Sequence, residues 1–172
     1  MAVFAASAGE KTVVPGTLLS LGIEVKIESK GDTLKELDED SQAVLKKANE
    51  FEFKTEAGVY GSVMAYQPKD EFADVITEWC EAMAGGLADA VKSEGKLIRR
   101  ETAKFGSRRC HFFAMESEGC TTEFALIGGK EEIVLIALSA EQKNTAELTK
   151  VMASLSYGGE AASERKPVAE QE

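Results

Sequence analysis

Cys110 and His111 stand next to each other, and a thiol beside an imidazole is the pairing that makes an activated nucleophile when the two side chains meet. Both lie in Arg108–Glu118, whose alternation predicts a strand, and neighbours on a strand point to opposite faces. The two therefore do not form a dyad. A thiol for His111 would have to be Cys80 or Cys120, brought near by the fold. Two basic pairs are the other arrangement with chemical potential. Arg99–Arg100 and Arg108–Arg109 flank a turn at Gly106–Ser107, with Lys104 and His111 close by. Across a hairpin such pairs approach each other, and forked guanidinium groups grip carboxylates or phosphates. Arg99, Arg100, Arg108, Arg109 and His111 are thus the candidate partner- or anion-binding residues. The competing arrangement is solvated arginines paired with Glu101, Glu116 or Glu118.

The remaining chemistry is thin. No Cys-x-x-Cys, His-Glu-x-x-His or calcium-loop spacing occurs, so no metal site is expected. Gly85–Gly86, Gly128–Gly129 and Gly158–Gly159 lack the Lys-Ser/Thr of a phosphate loop and the three-glycine spacing of a dinucleotide turn, so no cofactor is expected either. With 30 acidic residues any pair can be imagined as a general acid and base, and no spacing singles one out. No catalytic residue is assigned. Three cysteines, Cys80, Cys110 and Cys120, cannot all pair within one chain. A Cys110–Cys120 bond is disfavoured because a strand's length separates them, far beyond the roughly 7 Å that a disulfide spans between Cα atoms.

Composition narrows the class. The 172 residues suit one domain, and 44% hydrophobic with 29% charged residues is ordinary for a soluble globular protein. No apolar stretch approaches the roughly 20 residues of a membrane span. A formal charge of −10 repels phosphate backbones, so nucleic acid is not an expected partner. Met1–Gly9 has an Ala-x-Ala flavour but neither a basic n-region nor a full apolar h-region. That fits a soluble protein, cytoplasmic or exported with its signal removed.

The elements that must position these residues follow from periodicity. Residues 1–15 read as a flexible lead, 16–157 as a single domain and 158–172 as a disordered acidic tail without large apolar side chains. Leu21, Ile23, Val25 and Ile27 alternate as a half-buried strand ended by Gly31–Asp32. Thr33–Glu36 has capping-box spacing and Ser41 is a second possible N-cap, so a short helix or two turns should cross there. Phe51–Thr55 and Val59–Tyr66 read as a hairpin, with Gly61 weakening or bulging one strand before Pro68 closes it. Asp70 caps a long helix whose inward stripe is Phe72, Val75, Ile76, Trp79, Met83, Leu87, Ala90 and Val91. Gly85–Gly86 predicts a kink or a close approach within it. Leu97–Phe105, Arg108–Glu118, Thr121–Ile127 and Ile133–Leu138 form a four-stranded meander. A last helix follows, capped by Asn144 or Thr145, striped by Leu148, Val151, Met152 and Leu155, and stopped at Gly158. The fold class is α+β: an antiparallel sheet with the long helix and the C-terminal helix on one face.

Over roughly Phe51 to Tyr157 this order resembles the superfamily shared by the photosystem extrinsic protein PsbP, the Ran-binding Mog proteins and bacterial DcrB-like proteins. The resemblance is carried by the helix Asp70–Val91, the turn Phe105-Gly106-Ser107-Arg108-Arg109, the strands through Ile127 and Leu138, and the ending Val151-Met152-Ala153-Ser154-Leu155. The tryptophan often found after an early proline in that family has no counterpart after Pro15. The resemblance implies a non-enzymatic binding or accessory module with a protein partner and no catalytic residues. A groove between the long helix and the sheet, or the Arg99–Arg109 hairpin, is the expected contact surface. The alternative is a small-ligand carrier, or a hydrolase whose site is assembled from dispersed side chains.

Overall fold

The computed structural model describes residues 11–129 and 131–168. Its centre is set by two runs with apolar residues at both parities, Phe124–Ile127 and Ile133–Leu138. Neither face of such strands can be left in water, and both are covered. They belong to β8 (Cys120–Gly128) and β9 (Ile133–Glu141). These close the meander begun by β6 (Lys96–Phe105) and β7 (Arg108–Ser117). Ser117 pairs with Cys120, so the β7–β8 turn has two residues; Glu118 (φ 45°) and Gly119 (φ 80°) both take the left-handed conformation such a turn requires.

β4 (Leu45–Lys54) and β5 (Tyr60–Pro68) form the expected hairpin, and β5 joins the meander by pairing antiparallel with β9. With β3 (Glu28–Asp32) and β12 (Lys166–Pro167) at its rims, the large sheet has the order β12-β6-β7-β8-β9-β5-β4-β3, antiparallel throughout. Gly61 causes no bulge, contrary to expectation. It pairs regularly with Phe53, and a Cβ there would run into the Phe53 ring, so the missing side chain is the seat of an aromatic one.

The short helix α1 (Glu39–Val44) connects β3 to β4. The long helix α2 (Ile76–Glu94) carries the chain from β5 across β9, β8 and β7 to β6, and α3 (Thr145–Ala153) follows β9. The fold class is as expected; the placement of the helices is not. Phe113, Leu126 and Ile133 pack beneath Ile76, Cys80 and Ala84 of α2. Phe112, Ile127 and Ile136, of the opposite parity, pack with Leu148, Val151 and Met152 of α3. The two helices therefore cover opposite faces.

The α3 face is closed further by a small antiparallel sheet, ordered β1 (Thr12–Val13), β2 (Leu19–Leu21), β10 (Ser156–Tyr157) and β11 (Glu160–Ala161). Of the supposed lead, residues 1–10 lie outside the described part. The remainder is ordered into this layer, with Val14 fully buried. The strand expected over Leu21–Ile27 stops at Leu21. Ile23, Val25 and Ile27 alternate because they lean on the core from an irregular segment.

The segment after Tyr157, expected to be a disordered tail, is a strap as far as Val168. Ser163 N donates to Lys104 O (2.8 Å), Val168 N donates to Arg100 O (2.9 Å), and Lys166 pairs with Thr102 on the β6 edge. Arg165 supplies the anchor that a lack of large apolar residues had hidden. Its guanidinium carbon lies 3.9 Å from the Phe112 ring centroid. Residues 169–172 lie outside the described part.

Candidate binding groove

The α2 side of the sheet is built by a stripe of small residues. Ile76, Cys80, Ala84, Ala88 and Val91 are the buried row. Ile76 and Val91 belong to the expected stripe, but between them Cys80, Ala84 and Ala88 stand where Trp79, Met83 and Leu87 were expected, and these short side chains let the helix lie close to the strands. The larger Trp79, Met83 and Leu87 are pushed to the side and stay partly exposed. Phe72, in the 3-10 turn Asp70–Val75 that precedes α2, stacks on Trp79 with centroids 6.3 Å apart. Asp70 does not cap α2. It pairs with Lys46 Nζ at 3.2 Å. Gly85 and Gly86 sit in an unbroken helix with open space where a Cβ would be, so they mark neither a kink nor a close approach.

Facing Trp79 across the sheet is α1. The expected Thr33 and Ser41 caps are replaced by Asp38, whose Oδ1 accepts from Ser41 N at 2.7 Å. Between the two helices runs a groove of about 450 Å3. Leu37, Ser41 and Val44 form one wall; Trp79, Ala82 and Met83 form the other; Leu45, Tyr66 and Ile133 form the floor. Asp40 is the single charged residue lining it. Burial, with Glu50 nearby, raises the Tyr66 phenol. Such a site gathers apolar groups and has no converging acid and base.

No family model, curated protein or solved structure matches the chain.

The candidate basic residues do not form one patch. Thr102 pairs with His111 and Phe105 with Arg108, which puts Arg99–Arg100 and Arg108–Arg109 at opposite ends of the hairpin. Strand parity then divides each pair between the two faces. On the α2 face, Arg109 Nη1 pairs with Glu81 Oε1 at 3.2 Å, and Arg100 lies over the Phe113 ring at 5.5 Å. His111 Nε2 rests against Glu81 Oε2, yet neither ring nitrogen makes a directed hydrogen bond among the described residues. Burial lowers the His111 pKa, and Glu81 opposes that shift.

On the α3 face, Arg99 Nη2 reaches Glu123 Oε1 at 3.5 Å. Arg165 Nη1 approaches Glu101 and Glu123 at 3.8 and 3.9 Å, so Arg99 does find Glu101 but shares it within a larger cluster. Arg108 lies on this face by parity, and the phenol of Tyr157 there is raised by burial and by Glu132. Arg99 and Arg109 are thus taken up by carboxylates of the chain, while Arg100 and Arg108 are in no ion pair among the described residues.

Two buried acids escaped sequence reasoning. Glu123, only 3% exposed, accepts from Thr149 Oγ1 at 3.4 Å; burial raises its carboxyl pKa, while Arg99 and Arg165 pull it back. Its parity with Ala125 and Ile127 was the available signal. Glu132 accepts from Tyr157 Oη (2.8 Å) and Leu18 N (3.2 Å), tying the start of β9 to both halves of the small sheet. Nothing in its neighbourhood in sequence marks it.

The two buried thiols, Cys80 and Cys110, are poor nucleophiles. Cys80 is pushed up to about 12, chiefly by burial, and burial also raises Cys110 well above the ordinary thiol value. Cys120 is exposed, and all three are free. Among the described residues no cluster of His, Cys, Asp and Glu is arranged to hold a metal ion, and no helix is long and apolar enough to cross a membrane.

Proposed function

We propose that this chain is a non-enzymatic protein-interaction module of the assembly or accessory kind, and that its contact site is the groove between α1, α2 and the sheet. One observation supports the reading: Trp79, Met83 and Tyr66, large side chains with no role in a catalytic constellation, lean on the core with part of their surface and leave the rest lining an open apolar groove. The resemblance to the PsbP, Mog and DcrB-like superfamily implies the same class of function.

The test is an affinity capture from native extract with the full chain and with Ala82→Gln. Ala82 is exposed on α2, so a longer uncharged side chain there occupies the groove at little cost to the helix. A captured protein that is lost with the variant is the expected result. An identical set of proteins with both chains overturns the assignment of the groove.

The volume of about 450 Å3 also supports a second reading, a carrier of a small apolar ligand, because it falls within the size range of such sites. Native mass spectrometry of chain purified from its own source separates the two. A carrier keeps a bound mass that Ala82→Gln loses.

A further inference from the structure

We infer that the groove takes an amphipathic protein segment carrying lysine or arginine beside its apolar face; the inference rests on the reading of the groove as the contact site. The apolar half of the argument is the lining already described. About three large side chains fill 450 Å3, the number that two turns of an amphipathic helix present at i, i+3 or i+4, and i+7.

The charged half comes from the rim. On the α1 wall Asp40 stands one turn before Val44 on the same row of the helix and lines the groove. On the α2 wall Glu78 occupies the corresponding place, one turn before Ala82. Of the other carboxylates close by, Asp38 caps α1 and Asp70 holds Lys46, while Glu39 and Asp74 are, like Asp40, exposed and outside any ion pair among the described residues, so the surroundings of the groove are acidic. Asp40 and Glu78 have no ion-pair partner among the described residues; Asp40 lines the groove, and Glu78 stands outside its lining, one turn from Ala82. The chain as a whole carries −10, so the long-range field adds to the local one. An acidic segment would meet like charge on both rims, and an uncharged one would leave both unanswered. A basic amphipathic segment satisfies walls and rims together.

Trp79 makes the test direct, since it is the only tryptophan in the chain and forms part of the groove. The full chain is titrated, with Trp79 emission as readout, against two synthetic helical peptides free of tryptophan. They share one leucine face and differ only in their flanking residues, lysine in one and glutamate in the other. The lysine peptide is expected to blue-shift the emission and to bind about tenfold more tightly at low salt, a preference that high salt removes. Asp40→Asn with Glu78→Gln should erase that preference, and Asp40→Lys with Glu78→Lys should reverse it. Because these positions are exposed, the variants keep the fold, which circular dichroism verifies.

Equal affinity of the two peptides, both lost in Ala82→Gln, overturns the charge assignment and leaves the groove reading standing. If neither peptide moves Trp79 emission while Nile red does and is lost in Ala82→Gln, the occupant is a small apolar molecule, and the inference falls. If nothing moves it, and the captured proteins are the same with and without Ala82→Gln, the groove reading falls with it.

Discussion

The two faces of the large sheet solve the same problem differently. On the α3 face, large apolar side chains from six strands of the large sheet and a helix interlock, a small second sheet closes one side, and the strap seals the rim. Buried acids there are met by Tyr157, Thr149 and arginines. On the α2 face a helix lies close on small residues, displacing its own largest side chains toward α1 and leaving an open groove. The contrast shows that one face is filled and the other only partly filled.

The comparison is broken most forcefully by deleting volume on each side. Leu148→Ala removes a fully buried side chain of α3 and is expected to cost about 3 kcal/mol, while Met83→Ala on the groove side should cost under about 1 kcal/mol. Urea melts of the two variants check the pair, and equal losses would refute the division. Next in size is Gly61→Ala, which sets a methyl group against the Phe53 ring. A loss of about 1–3 kcal/mol is expected by the same measurement. Of opposite sign are Gly85→Ala and Gly86→Ala, whose added Cβ atoms meet open space in α2. Each should stabilise the chain by up to about 1 kcal/mol, and an unchanged or lower melting temperature would show that the helix needs those glycines.

The smallest effects are in pH slopes, and there the faces have opposite signs. His111, on the α2 face, has a lowered folded pKa, so the fold binds fewer protons than the unfolded chain. Its contribution rises as pH climbs from that lowered value to the ordinary 6.5. Glu123, on the α3 face, has a raised folded pKa. Its contribution falls as pH climbs from the ordinary 4.5 toward that raised value. Urea melts across pH 4–7 should therefore show His111→Gln and Glu123→Gln each flattening a slope of opposite sign relative to the native chain. Slopes that both variants leave unchanged would remove these groups from the account.

Period-two and helical spacing carried much of the architecture. The hairpin β4–β5, the meander, α2 and α3 were legible because each repeats its signal over several residues. What spacing does not carry is which face a residue of a doubly buried strand will join, or which strands meet across long connections. The pairing of β5 with β9 sends α2 across the sheet, and that pairing has no local sign. The same gap explains the arginines: one residue of parity separates Arg108 from Arg109, and it assigns them to opposite sides of the sheet. At Ile23–Ile27 alternation reported burial correctly, but without a neighbouring ladder no strand forms. The groove was expected between the long helix and the sheet. Its second wall, α1, rests on the Asp38 cap, which spacing had placed at Thr33 or Ser41.

The strap gives the carboxyl end of this chain a mechanical meaning. Because Ser163 to Val168 is stitched along β6, a load applied at that end acts on the rim of the large sheet before it reaches the interior. Immobilising the molecule by its last residues would tug at the stitching, so an anchor on the exposed β4–β5 turn at Glu56–Ala57 is the gentler way to hold it.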